Sequence, residues 1–156
     1  MLLGLESQEH IHYAMPLRVM GYDYATYKKQ YDSLTRQYKE HKTDMDEHEF
    51  LSRMKKTDRL TPVISVVIYY GEKVWDAATS LYGILNIPTE MASYVNDYRM
   101  LLVEARQNDL YFHNGSNRDL FNLFKILLDQ NNSIRDKKEK AIEYTKEHEV
   151  SDTILK

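Results

Sequence analysis

The sequence predicts an α/β fold, an α+β arrangement with a mixed or parallel sheet and flanking helices, that ends in a helical C-terminal part. Three observations carry this. Leu2-Leu3-Gly4-Leu5 is an apolar run that stops at an acid, and Pro16 then opens a long stretch of helical period. Pro62 to Gly71 is β-branched and almost continuously apolar, the pattern of a strand covered on both faces. From Arg118 onward the apolar residues return at helical spacing.

The elements follow in order. Leu2 to Gln8 reads as a strand, because apolar residues lead into an alternating acid, hydroxyl and amide. Pro16 suits the first turn of a helix, where its missing N–H costs nothing. Tyr13, Leu17, Met20, Tyr24, Tyr27, Tyr31, Leu34 and Tyr38 recur at spacings of three and four, which predicts one helix from Pro16 to His41. That stripe reads as a core-facing seam with phenol tips at its wetter edges, or as a homodimer seam. Thr43 to Arg59 reads as a polar connection with a short helical piece at Glu47-Met54. Pro62 to Gly71 is the next strand, Trp75 anchors a loop, and a short helix near Ser80-Leu85 stops at Pro88. Tyr98 to Glu104 reads as another buried strand. Asn114-Gly115-Ser116-Asn117 is a turn cluster before a helix at Arg118-Gln130, with Leu120, Phe121, Phe124, Leu127 and Leu128 inward. Ser133 and Asp136 form a capping-box start for a last, charged helix.

Composition narrows the class. The 156 residues, 42% hydrophobic and 29% charged, suit one globular domain rather than a disordered chain. The 21 basic and 24 acidic side chains give a net charge of −3, so any DNA contact must come from local patches. No cysteine is present, which excludes a disulfide scaffold and thiolate metal sites. No apolar run reaches the ~20 residues of a membrane span, and the apolar start is too short for a secretory signal. The expected localisation is therefore cytoplasmic, with no membrane partner.

The chemistry-bearing residues cluster early. On a strand, Glu6 and Gln8 share a face, so a carboxylate and an amide project together. Arg18 shares a helix face with Met15 and Tyr22, distinct from the tyrosine stripe, and suits either a phosphate or a structural acid. His10 and His12 continue the parity of Glu6 and Gln8. Were the strand prolonged they would offer zinc two imidazoles, but Pro16 forces the handover to helix and puts them in a turn.

Two blocks carry a resemblance. Glu6-Ser7-Gln8 precedes Tyr13-Ala14-Met15-Pro16-Leu17-Arg18 and Tyr22, and Leu60-Thr61-Pro62-Val63-Ile64 runs through Val67-Ile68-Tyr69-Tyr70-Gly71 to Trp75 and Ser80-Leu81. Together, over Leu2 to Leu85, they resemble the Rpn family of recombination-promoting nucleases and putative transposases, of the PD-(D/E)XK superfamily. The resemblance implies metal-dependent hydrolysis of DNA phosphodiesters. It casts Glu6 as a Mg²⁺ ligand, Ser7 as a second ligand through its carbonyl, Gln8 as the catalytic amide where the superfamily commonly has lysine, and Arg18 as a substrate-binding cation. It implies a partial PD-(D/E)XK core over residues 1–112, truncated at its N-terminus, and a helical extension over 113–156. The superfamily's aspartate would lie before Met1, so the chain alone is expected to be impaired. The alternatives are a non-catalytic partner, binding its own copies or a full-length nuclease copy, and a degenerate remnant.

Overall fold

The computed structural model describes residues 1–40, 45–106, 111–148 and 150. His41 and Asp44, and the start of the predicted polar connection, lie outside them. Three strands, β1 (Leu2–Gln8), β2 (Val63–Tyr69) and β3 (Leu101–Glu104), form one sheet in the order β1-β2-β3. Among the described residues four α-helices accompany them: α1 (Met15–Glu40), α2 (Glu47–Ser52), α3 (Gly115–Leu128) and α4 (Ile134–Glu147). The strands run parallel: Leu2 N–H donates to Pro62 O at 2.8 Å at one end of β1, and Tyr70 N–H donates to Gln8 O at 2.9 Å at the other. Parallel neighbours need a crossover too long for a hairpin, which α1 and its connection supply.

The chain divides into two compact units. One comprises Met1–Leu5, Tyr13–Val66 and Ala78–Leu101, and the other Glu6–His12, Val67–Ala77 and Leu102–Lys156.

In the first unit, α1 buries Met15, Pro16, Val19 and Asp23. The sequence placed its seam one residue away at the start of the helix: Tyr13, Leu17 and Tyr24 are exposed. Starting instead from Met15, steps of four reach Val19, Asp23 and Tyr27, so the inward face carries a carboxylate where a hydrophobe was expected. The C-terminal half of the stripe does pack, by its phenols. Val63 N–H donates to the Tyr27 hydroxyl at 3.0 Å, Tyr31 donates to Ser52 O at 2.8 Å, and Tyr38 donates to Asp58 at 2.7 Å. Gln30 grips Thr61 with both amide atoms, donating to its carbonyl at 3.1 Å and accepting from its N–H at 2.7 Å. The 45–62 connection is thus fastened to the helix by polar side chains. Within it, Asp46 and Glu49 form a capping box on α2, and Arg53 closes that helix in the left-handed region at φ 55°.

Tyr38 and Asp58 also set a pH response. The shared hydrogen bond, with some desolvation, pushes the Tyr38 phenol up to about 12, and the same bond with the Lys55 N–H lowers the Asp58 carboxyl. A raised phenol contributes stability below its unfolded value of 10 and loses it as pH climbs through about 12. A lowered carboxylate contributes above its unfolded value and loses it as pH falls through the depressed one. Ultraviolet titration should therefore show Tyr38 among the late-ionising phenols, with one of them reverting toward 10 in Asp58→Ala; an unchanged curve would exclude the contact.

The same unit holds the 78–101 excursion. An antiparallel bridge joins Ser80 to Arg99, flanked by Leu81 N–H to Tyr98 O at 2.9 Å and Met100 N–H to Thr79 O at 3.0 Å. The short helix expected near Ser80–Leu85 is a 3₁₀ turn, Leu81–Ile84, that ends before Pro88, and a second 3₁₀ turn, Thr89–Tyr94, follows. The Tyr82 hydroxyl donates to Ala92 O at 2.6 Å and also meets Val95 O, while Asp97 accepts from Tyr82 N–H at 3.0 Å.

In the second unit, Tyr69 and Trp75 meet edge to face, with centroids 5.1 Å apart, and both are buried. Trp75 donates its indole N–H to Ala77 O at 2.9 Å and its backbone N–H to Glu104 at 3.3 Å. Arg106 clasps the same loop, donating to Gly71 O and, at 2.7 Å, to Lys73 O. α3 buries Phe121 and Leu123, whereas Leu127, expected inward, is exposed. α4 packs on α3; Tyr144 donates to Asp119 at 3.0 Å and accepts from the Asn122 amide at 2.9 Å. The Ser133–Asp136 capping box forms as the sequence predicts.

Candidate functional site

β1 alternates as a pleated strand must. Gly4, Glu6 and Gln8 are half-buried on one face, while Leu3, Leu5 and Ser7 are exposed on the other. The predicted pairing of Glu6 with Gln8 is present: the Gln8 amide donates to the Glu6 carboxylate at 2.7 Å. This bond orients the carboxylate, with the Gln8 amide nitrogen as its donor. The backbone of Gln8 is itself held, because its carbonyl accepts from Tyr70 N–H at 2.9 Å. Both side chains therefore sit at the carboxyl end of a parallel strand, where open α/β sheets place their ligands. Ser7 projects its side chain to the opposite, exposed face.

Arg18 lies on α1, in the first unit, whereas Glu6, Ser7 and Gln8 belong to the second. Its guanidinium donates to the Tyr22 hydroxyl at 2.8 and 3.2 Å and lies 5.7 Å from that ring's centroid. The predicted sharing of a face by Arg18 and Tyr22 is thus a direct contact that fixes the direction of the cation along the helix.

The histidines do not extend the strand. β1 stops at Gln8, His10 is exposed in a bend, and the half-buried His12 keeps its Nδ1 without a hydrogen-bond partner among the described residues. Mg²⁺ takes oxygen ligands and is held by one or two carboxylates together with waters. The Glu6 carboxylate, the Ser7 carbonyl and the Gln8 amide oxygen are donors of that kind. Among the described residues, however, no group of three or more His, Asp or Glu side chains gathers to hold an ion. The donors fit Mg²⁺ in type and fall short in number, so the residues present do not make a complete site.

Sequence reasoning missed one polar centre. Asp23 is buried on α1 and accepts hydrogen bonds from Ser65 Oγ at 2.5 Å and from the Tyr98 hydroxyl. Burial and this carboxylate push the Tyr98 phenol well above its ordinary range. A buried carboxylate needs partners to offset lost hydration, and two hydroxyls supply them here. Asp23 falls four residues after Val19, itself four after Met15, but an acid there breaks the apolar spacing and so gives no hydrophobic signal. Its chemistry is that of a fastening between α1, β2 and the 78–101 excursion. Both hydroxyls donate to this one carboxylate.

Comparison with models of known families, with curated proteins and with solved structures gives no match to the chain.

Proposed function

We propose that this chain is a metal-dependent phosphodiester hydrolase of the PD-(D/E)XK class. More narrowly, we read it as an Rpn-type DNA endonuclease or transposase-related protein. The observation that carries the reading is the Glu6–Gln8 pair at the carboxyl end of β1, hydrogen-bonded at 2.7 Å on the half-buried face. In this reading Glu6 supplies the carboxylate and Gln8 holds it in place. An amide donates hydrogen bonds but carries no charge, so Gln8 positions and does not offset phosphate charge. Arg18, which the resemblance casts as a substrate-binding cation, donates to the Tyr22 hydroxyl at 2.8 Å. The parallel β1–α1–β2 order adds support, because it is the order in which the Rpn motif blocks fall.

The test is nicking of supercoiled plasmid with Mg²⁺ and with chelator, by the parent chain and by Glu6→Ala. Slow Mg²⁺-dependent nicking that falls to background in Glu6→Ala is the expected result. Equal nicking by the two proteins would remove Glu6 from the site, and no nicking by either would end the catalytic reading of this chain.

A further inference from the structure

We propose that the outward face of α1, centred on Lys29 and Arg36, is a docking surface for the phosphate backbone of duplex DNA. The choice of DNA as the polyanion rests on the nuclease reading; the surface itself follows from its charge and shape.

α1 turns Met15, Val19 and Asp23 inward and leaves its opposite side to charged and small residues. From Lys28 to Glu40 the exposed positions hold four cations, Lys28, Lys29, Arg36 and Lys39, against two acids, Asp32 and Glu40. The whole chain has the opposite excess, 21 basic against 24 acidic side chains. Asp32 is already engaged, because it accepts from Lys28 Nζ at 2.5 and 2.6 Å. Lys29 and Arg36 make no hydrogen bond or ion pair among the described residues. Seven positions separate them, so they share one stripe of the helix and stand about 10 Å apart along its axis. Unpaired lysine and arginine are almost never buried, so composition by itself marks this side as outward.

The shape of the face suits a phosphate. Ala25 and Ser33 stand one turn before and one turn after Lys29, and with Lys29 and Arg36 they help to line an open recess of about 470 Å³. Both are small, so a phosphate oxygen can come close to the cations between them. Between Lys28 and Lys39 no exposed position holds an apolar residue. The face therefore lacks the hydrophobic half that a membrane-surface helix buries, and the aromatic anchors on which protein interfaces depend. A duplex asks for neither. It carries one charge per about 1.7 Å of its axis, and the roughly 16 Å of helix from Lys28 to Lys39 spans several phosphates.

The test is fluorescence anisotropy of a short labelled duplex of random sequence, in EDTA so that no strand is cut, at several salt concentrations. Lys29→Gln combined with Arg36→Gln should weaken binding about tenfold and lower the salt slope by about 1.8, two phosphate contacts at about 0.9 each. Arg135→Gln combined with Lys138→Gln makes the same change of charge on α4 and should bind as the parent does. So should Lys29→Arg combined with Arg36→Lys, which keeps both charges. All three proteins should retain the parent's circular dichroism. A parent that does not bind the duplex at low salt would overturn the proposal, as would equal weakening by the α4 pair. Tighter binding to phosphatidylserine vesicles or to polyglutamate than to the duplex would overturn it too. Duplex binding without nicking would end the catalytic reading and leave this surface in place. Nicking with unchanged affinity in the Lys29 and Arg36 double variant would overturn this surface alone.

Discussion

Trp75→Ala is expected to lower the stability of the second unit by about 3–5 kcal/mol, the range for removing a buried aromatic from a packed site. Trp75 is the single tryptophan and is 8% exposed. Its ring meets Tyr69 edge to face at 5.1 Å, a contact worth about 0.5–1.5 kcal/mol beyond buried area. Truncation also discards the indole hydrogen bond to Ala77 O at 2.9 Å, leaving a carbonyl to be rehydrated in a site that alanine cannot fill. Trp75→Phe keeps most of the apolar volume and loses the donor, so it should cost markedly less. Urea melts followed by circular dichroism would rank the three proteins. Coincident midpoints for the parent and Trp75→Ala would show that the indole is not a structural anchor.

A methyl group at Gly71 is expected to cost about 3 kcal/mol, at the upper end of overpacking penalties. A Cβ built there collides with the backbone carbonyl oxygen of Glu9 and with the Tyr69 phenol, its third contact being Tyr69 Cε2 at 2.6 Å. Neither neighbour yields cheaply. One is main chain at the exit of β1, and the other is a buried ring braced by Trp75. Gly21 gives the opposite sign. A Cβ there meets nothing within 4 Å, and the residue lies inside α1. Gly21→Ala should therefore stabilise the chain by about 0.5–1 kcal/mol through helix propensity. The pair forms an internal control: a Gly71→Ala midpoint in urea that is unchanged or raised would remove the close approach at Gly71, and a lowered Gly21→Ala midpoint would remove the open space at Gly21.

Much of this architecture was legible because local rules and global packing agree. Val63–Tyr69 is β-branched and apolar, Pro16 sits in the first turn of α1, and Ser133 with Asp136 caps α4. The pairing of Glu6 with Gln8 followed from strand parity alone. What failed was the phase of α1. Hydrophobic counting favoured Tyr13, Leu17 and Tyr24, yet tyrosine is amphipathic, and those positions remain in water while Asp23 turns inward. A buried acid is invisible to any scheme that ranks residues by hydrophobicity, since its placement depends on Ser65 and Tyr98, 42 and 75 positions away. Arg106 was missed for the same reason: its carbonyl partners, Gly71 and Lys73, are distant in sequence and carry no side-chain signal. The resemblance marked residues for a site but could not say which oxygen each would present.

The phenols that tie down the loops differ in what they recognise. Tyr31 ends on Ser52 O, and Tyr82 on Ala92 O and Val95 O, which are main-chain acceptors that any residue offers. Tyr38 and Tyr98 end on the carboxylates of Asp58 and Asp23, which only an acid in that place provides. The loop positions around 52 and 92–95 can therefore drift in sequence, or accept inserted epitopes and labels, without releasing their fastening. Positions 23 and 58 are tied to their tyrosines and can vary only in concert with them. An engineer diversifying this scaffold would randomise the first set and leave the second untouched.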